Sequence, residues 1–321
     1  MHIAILGAGA IGCYVGAQWS AGQGAGVTLI GRERVLAPLR KGALQADALT
    51  AGPMTLTSDP AALAGADLIA VAVKAHALDG AMADIARHAR PETPILSLLN
   101  GLAPVRALRT RFPERAVIPG MVPFNIVWTG PTRLHRSGPG EVAVMRHPLT
   151  ASLAQVELHD DLAPIQYGKL LLNLVGAVNG LSGLPLHAML TQRGYRHVYA
   201  AAVAEALAAY RAAGIRFAKV GPTSPRLAIP ILRGPDWLFN IAALRRQNLD
   251  PESMTSLATD LAAGKPTEVD ILNGEIVRIG AECGHPTPVN AALVRLVKAE
   301  EGEAVPRRYS AEELLAQIRT K

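Results

Sequence analysis

Met1-His2-Ile3-Ala4-Ile5-Leu6-Gly7-Ala8-Gly9-Ala10-Ile11-Gly12-Cys13-Tyr14-Val15-Gly16 opens the chain and governs how the rest is read. Ile3 to Leu6 is a short apolar run of strand type. It breaks into Gly7-Ala8-Gly9-Ala10-Ile11-Gly12 and resumes as Cys13-Tyr14-Val15-Gly16-Ala17, which suits a helix. G-x-G-x-x-G is informative only in this setting, after a strand and at the start of a helix. Gly7 then permits the tight turn, Gly9 lets a pyrophosphate approach the backbone, and Gly12 lets helix and strand lie close. The first N–H groups and the positive dipole end of the helix face the phosphates. A dinucleotide site formed by Gly7 to Gly12 is the expectation.

Gly26 to Ile30 reads as a second strand, followed by Gly31-Arg32-Glu33-Arg34. A free ribose 2′-hydroxyl is met near here by an acidic side chain. An arginine directly after the strand instead suits a 2′-phosphate, which its planar fork binds bidentately. Arg32 therefore favours NADP, while Glu33 keeps NAD open. Asp67 to Val73 is continuously apolar, as a buried parallel strand requires, and ends in Lys74. Pro94 to Leu99 makes another strand, ending in Asn100-Gly101. Ligands of open α/β sheets bind at the carboxyl ends of strands, so Lys74 and Asn100 are candidate contacts. Either alone is as easily turn chemistry; two successive polar strand ends favour a ligand. Arg115 to Gly120 is a further strand, and Val122 to Trp128 with Gly140 to Met145 reads as an antiparallel finish to the sheet.

From Ala163 onward the pattern is helical. Helices are expected at Gln166 to Leu181, Val198 to Ala213, Glu252 to Ala263, Val289 to Ala299 and Ser310 to Thr320. A long one opens at Pro266, favourable in a first turn, and runs from Thr267 to about Cys283. Residues 221–251 hold five prolines and read as loops with short helices. The fold class is thus α/β, with a Rossmann-type dinucleotide-binding domain over 1–162 followed by an all-helical domain over 163–321. A cleft between them is the natural substrate site.

Length and composition agree with two globular domains: 321 residues, 50% hydrophobic and 18% charged. The net charge of +6 comes from 32 scattered Lys and Arg, without a basic run or interleaved aromatics. That argues against nucleic acid and suits small anionic ligands. Cys13 and Cys283 form neither a disulfide framework nor a metal spacing, so a reduced, cytoplasmic protein is expected. The opening strand occupies the place of a leader segment. Leu170 to Leu190 has no Asp, Glu, Lys or Arg and matches a bilayer in length, yet it holds Asn173, Asn179, three glycines, Pro185 and His187. A buried helical segment, not a membrane span, is expected. His135, His147 and His159 fall in loops or edge segments, and no histidine shows a carboxylate pattern for a triad or a metal site.

Two further segments are more specific: Lys169-Leu170-Leu171-Leu172-Asn173 and Pro266-Thr267-Glu268-Val269-Asp270-Ile271-Leu272-Asn273-Gly274. With the glycine loop, Lys74 and Asn100, they make the chain resemble the ketopantoate reductase (2-dehydropantoate 2-reductase) family along nearly its whole length. The resemblance implies NADPH-dependent reduction of ketopantoate to pantoate in pantothenate and coenzyme A synthesis. Hydride addition to a ketone leaves charge on oxygen, and an ammonium both stabilises and protonates it. The resemblance gives Lys169 this role, with burial drawing its pKa down from ~10.4. Asn173, four residues on and on the same helix face, resembles a substrate-binding asparagine, and Ser256 the serine that holds the substrate carboxylate. Lys74 and Asn100 resemble NADP contacts, Arg32 the residue near the 2′-phosphate, and Glu268 a carboxylate facing cofactor and substrate. The ordinary alternative for Glu268 is a helix-dipole partner in a first turn.

The chain departs from the family pattern at Ala177, where a second asparagine is frequent; Asn179 replaces it only if the helix is irregular. His76-Ala77-Leu78 follows Lys74 where a glutamine is common nearby, and the stretch from Val144 to Val156 is short. A different 2-oxo or 3-oxo acid is therefore the alternative substrate. A non-catalytic NADP-binding protein would need Lys169 and Glu268 to be bystanders. Partners are a small-molecule acid and, as the oligomer, a homodimer.

Overall fold

The computed structural model describes residues 1–22, 25–221, 224–241 and 251–319. They form two compact units, Met1–Leu162 and Ala163–Lys321. In the first, β1 (His2–Leu6) leads into α1 (Ala10–Ala21), β2 (Gly26–Ile30) and α2 (Glu33–Lys41). A small hairpin, β3 (Gln45–Ala46) and β4 (Leu49–Thr50), precedes β5 (Met54–Thr57) and β6 (Leu68–Val71). Then come α3 (Leu78–His88), β7 (Ile95–Ser97), α4 (Ala103–Arg111) and β8 (Val117–Met121). The unit ends with β9 (Asn125–Gly130), β10 (Arg133–Ser137), β11 (Val142–Met145) and β12 (Val156–His159).

The main sheet runs β12-β11-β8-β7-β6-β1-β2-β5. Its six parallel strands follow the 3-2-1-4-5-6 order of a doubly wound dinucleotide fold, with the reversal between β1 and β6. Period-two alternation explains why both faces are covered. Ile3 and Ile5 point into one core with Cys13, Trp19 and Leu29, while Ala4 and Leu6 point into the other with Ile69, Val71, Ile85 and Leu108. Each fully buried Ile or Leu contributes about 1.5–3 kcal/mol.

The expected antiparallel finish needs correction. β11 does pair antiparallel with β8, but β9 pairs with β10 in a separate four-stranded sheet of order β4-β3-β10-β9. The main sheet instead ends on β12, parallel to β11. Only a short 3-10 turn, Thr150–Ser152, stands in the β11–β12 connection, which accounts for the short stretch after Val144.

Among its described residues the second unit has helices and connecting loops but no strand. It begins with α5 (Ala163–Asn173), α6 (Val175–Ser182), α7 (Leu186–Thr191) and the 20-residue α8 (Arg193–Ala212). The helix expected over Gln166 to Leu181 is broken at Leu174 and stops at Gly183, whose φ of +62° a glycine adopts without strain. Among the described residues no helix is long and apolar enough to cross a membrane. α9 (Pro225–Arg233) and α10 (Asp236–Phe239) follow; residues 222–223 and 242–250 of the expected loop segment lie outside the described residues. Then come α11 (Ser256–Ala262), α12 (Asn273–Glu282), α13 (Pro288–Glu300) and α14 (Ala311–Arg319). The long helix expected from Thr267 to Cys283 is also broken: a 3-10 turn, Val269–Ile271, precedes a kink at Leu272, and α12 starts only at Asn273.

Arg196 of α8 clamps this unit. It is fully buried, donating to the carbonyls of Leu190, Thr191, Leu232 and Gly234 at 2.8–3.2 Å. It also pairs with Asp236 and lies over the Phe239 ring. Arg196→Met leaves those buried carbonyls without donors and should cost about 3–5 kcal/mol of unfolding free energy. The urea midpoint measures it; a change under about 1 kcal/mol would mean the carbonyls find other partners.

Candidate active site

Missing side chains shape the glycine loop after β1. Gly7 has φ +118°, and a Cβ there would lie 2.7 Å from the Ala72–Val73 backbone at the end of β6. A Cβ on Gly12 would come within 2.0 Å of the Gly7 carbonyl, and one on Gly31, after β2, within 2.2 Å of the Ala8 methyl. Three neighbouring strand ends thus touch through glycine. Gly9 is different: its Cβ would meet nothing nearer than the Ala72 carbonyl at 4.0 Å. The protein does not itself need glycine there, and the open space fits the close approach of a pyrophosphate to the start of α1. Ala8 is buried, whereas Gly9 is exposed and Ala10 and Ile11 are half-buried. Cys13 follows inside the helix, where burial pushes its thiol up to about 12 and keeps it a neutral core side chain.

The other first-unit candidates line the same carboxyl edge. Arg32 caps the N-terminus of α2 directly after β2 and is exposed, with no side-chain partner among the described residues. Glu33 is held by Arg40, one face of α2 down, so the carboxylate that would suit a 2′-hydroxyl is engaged by its own helix. Lys74 follows β6 as the residue before a 3-10 turn, and it is exposed. Asn100 sits half-buried in the turn after β7, where Gly101 takes φ +77°. β2, β1, β6 and β7 are consecutive in the sheet, so these residues share its switch-point edge.

In the second unit, α5 carries Lys169 and Asn173 one turn apart on one face. The helix is fixed on both sides of Lys169. Tyr210 donates to the Tyr167 carbonyl at 3.2 Å and Tyr199 to that of Leu171 at 3.4 Å. Burial pushes both phenols up, so they remain neutral donors. Gly168 admits the Ala218 carbonyl to a position 2.1 Å from where its Cβ would be. Lys169 itself is half-buried, and burial lowers its ammonium pKa from 10.5. Asn173 is half-buried with no side-chain partner among the described residues, which leaves its amide to solvent or a ligand.

Ser256 is the first residue of α11 and is exposed. Glu268 is not in the first turn of a long helix, as the sequence led one to expect. It is a buried carboxylate, 7% exposed, ahead of the 3-10 turn, and its side chain makes no capping bond. The reason is the kink at Leu272, which splits the expected helix. Neighbouring bonds hold Glu268 in place: Thr267 donates to Glu301 through both N–H and hydroxyl, and Ile271 and Leu272 donate to the Glu268 carbonyl.

The helix is irregular at Leu174, yet Asn179 does not replace the asparagine missing at Ala177. Asn179 is fully buried, donating to the Leu184 carbonyl at 2.8 Å and accepting the Thr255 N–H at 2.9 Å. Ala177 is fully buried too. Sequence reading also missed a histidine–carboxylate contact. Asp47, at φ +55° between β3 and β4, accepts from His135 at 2.9 Å, from the Arg136 N–H and from Tyr14. These partners are 33 to 89 residues away, so no local pattern announces them. They stitch the small sheet onto α1.

Comparison with known proteins agrees with this arrangement. The family model described as "Ketopantoate reductase PanE/ApbA" matches residues 3–148, and its C-terminal counterpart matches residues 161–301. The chain belongs to the ketopantoate reductase family. It is 30% identical over 307 residues to the 2-dehydropantoate 2-reductase of Caulobacter vibrioides, covering 92% of this chain and 98% of that one. The crystal structure of a PanE/ApbA family ketopantoate reductase from Ralstonia eutropha JMP134 superposes with TM-score 0.79 at 29% identity, over 95% of this chain and 99% of that one. A D-mandelate dehydrogenase solved with NADH and anilino(oxo)acetate shares the fold, with TM-score 0.75 at 22% identity over 95% and 99% of the two chains. Membership makes the chain an oxidoreductase that works with a nicotinamide cofactor.

Gly9→Ala should fold with an unchanged melting temperature and weaken binding of the reduced nicotinamide cofactor at least ~tenfold by fluorescence titration. Gly12→Ala should lower the melting temperature as well, because its methyl meets backbone. Equal cofactor affinity in Gly9→Ala would move the pyrophosphate away from this loop.

Proposed function

We propose that the chain reduces ketopantoate to pantoate with NADPH, in the pathway to pantothenate and coenzyme A. What carries the reading is the pair on α5. Lys169 is an ammonium whose pKa burial lowers, and Asn173, one turn on, has an amide with no partner among the described residues. NADPH, when bound, supplies the hydride to the carbonyl carbon. Lys169 stabilises the negative charge that gathers on the carbonyl oxygen and delivers a proton to it, leaving the neutral amine to be reprotonated from solvent. Asn173 orients the ketone by hydrogen bonding, Ser256 holds the substrate carboxylate, and Glu268 faces cofactor and substrate. Gly7 to Gly12 receive the pyrophosphate, Arg32 the 2′-phosphate, and Lys74 and Asn100 contact the cofactor. In this reading residues 1–162 bind the nucleotide and 163–321 bind the acid.

NADP is favoured over NAD by the contrast between Arg32, whose guanidinium is unengaged among the described residues, and Glu33, which Arg40 holds. Arg32→Ala should raise KM for NADPH about tenfold and leave that for NADH unchanged. A second reading keeps the chemistry but takes a different 2-oxo or 3-oxo acid. Ala177 favours it, because a buried methyl stands where the family frequently has an amide.

NADPH oxidation followed by absorbance with ketopantoate, beside a panel of other 2-oxo and 3-oxo acids, separates the two. Lys169→Ala should lose kcat by at least about 100-fold while NADPH still binds. The proton donor must be charged, so wild-type kcat should fall as pH rises through a pKa below 10.5. Lys169→Ala should lack that alkaline limb. Unchanged turnover in Lys169→Ala would remove the residue from the reaction.

A further inference from the structure

Resting on the assignment of Ser256 to the substrate carboxylate, we propose that Asn179 is a positioning residue for the 2-oxo acid. Through the backbone of Thr255, it sets where Ser256 presents its hydroxyl.

The side-chain amide of Asn179 is used at both ends. Its Nδ2 donates to the Leu184 carbonyl at 2.8 Å, and its Oδ1 accepts the Thr255 N–H at 2.9 Å. It is fully buried, so it makes no direct contact with a substrate. Its backbone carbonyl is occupied as well, accepting from Gly183 and from the Ser182 hydroxyl. Asn179 therefore has a single orientation relative to α6.

Thr255 transmits that orientation. Its N–H is pinned by Asn179, its hydroxyl accepts the Ala258 N–H at 3.2 Å, and its carbonyl accepts the Thr259 N–H at 2.9 Å. With N–H, side chain and carbonyl all engaged, the peptide leading into Ser256 has little freedom to rotate. Ser256, the next residue, inherits that placement while remaining exposed. The chain entering Thr255 is tied a second time, because Leu186 donates to the Ser253 carbonyl at 2.8 Å.

Helix packing makes the arrangement specific. α6 and α11 meet through Gly176 and Gly180, whose added Cβ atoms would lie 3.2 Å from the Leu257 Cβ and 3.1 Å from Leu257 and Leu261 Cδ2. α11 is thereby seated on α6, and only Leu174 separates α6 from the helix that carries Lys169 and Asn173. Two glycines set the distance between the helices, and the asparagine sets the register at which Ser256 begins. The asparagine absent at Ala177 and the one present at Asn179 thus do different work.

The test is a steady-state cycle on the holoenzyme with the best acid from the substrate panel. Asn179→Ala should raise KM for the acid about tenfold, with kcat within about threefold and NADPH affinity unchanged. Ser256→Ala should raise the same KM, and Asn179→Ala added to Ser256→Ala should raise it no further. Asn179→Asp keeps an oxygen for the Thr255 N–H but sets a carboxylate oxygen, in place of the amino donor, against the Leu184 carbonyl. It should stay near the wild-type KM even where its melting temperature falls as far as that of Asn179→Ala.

A purely structural role predicts that KM in both Asn179 variants tracks the loss of stability. That result, or additive effects in the double variant, would overturn the proposal. No KM effect in Ser256→Ala alone would show instead that the Ser256 assignment had failed.

Discussion

The first unit depends on close approaches that only glycine permits where β1, β2 and β6 end. Gly7 lies against Ala72–Val73, Gly12 against the Gly7 carbonyl and Gly31 against Ala8, at separations no Cβ tolerates. These contacts bring three strand ends and one helix start to a single edge. The switch between β1 and β6 then leaves a crevice there, and the residues that follow β2, β6 and β7 necessarily face it. Arg32, Lys74 and Asn100 reach this edge by the order of the strands they follow.

The second unit solves positioning by other means. Its helices are rich in Ala, Leu and Gly, which pack closely but offer few shapes that distinguish one register from the next. Buried polar groups supply the distinction, because each must find its partner or lose a hydrogen bond's worth of stability. Arg196 gathers four carbonyls, and Glu205 accepts the Val289 and Asn290 N–H groups at the start of α13. Tyr199 and Tyr210 bracket Lys169, and Asn179 holds Thr255. The candidate chemistry thus rests on hydrogen bonds made well inside the helices.

Lys169 shows what its surroundings do to an ordinary lysine. A surface lysine keeps its proton far above neutral pH and transfers it reluctantly. Burial penalises the charged form and brings the pKa down, and the amide of Asn173 lies one helical turn away. The bonds to Tyr167 and Leu171 and the close approach at Gly168 hold the helix so that this pairing persists.

The sequence by itself determined what depends on neighbours in the chain. The glycine loop between strand and helix, the parallel strands ending at Lys74 and Asn100, the change to helix at Ala163 and the four-residue spacing of Lys169 and Asn173 are all local patterns. Their geometry follows from the 2.0 and 3.6 residue periods and from glycine's freedom. Tertiary structure decided whatever depends on residues far apart. The kink at Leu272 takes Glu268 out of a helix turn, β9 and β10 join β3 in a second sheet, and Asp47 meets His135 across 88 residues. Asn179 looked from the sequence like a spare substrate ligand, but its amide is committed to Leu184 and Thr255. An amide's partners are chosen by what the fold brings within about 3 Å, and sequence spacing carries no record of that.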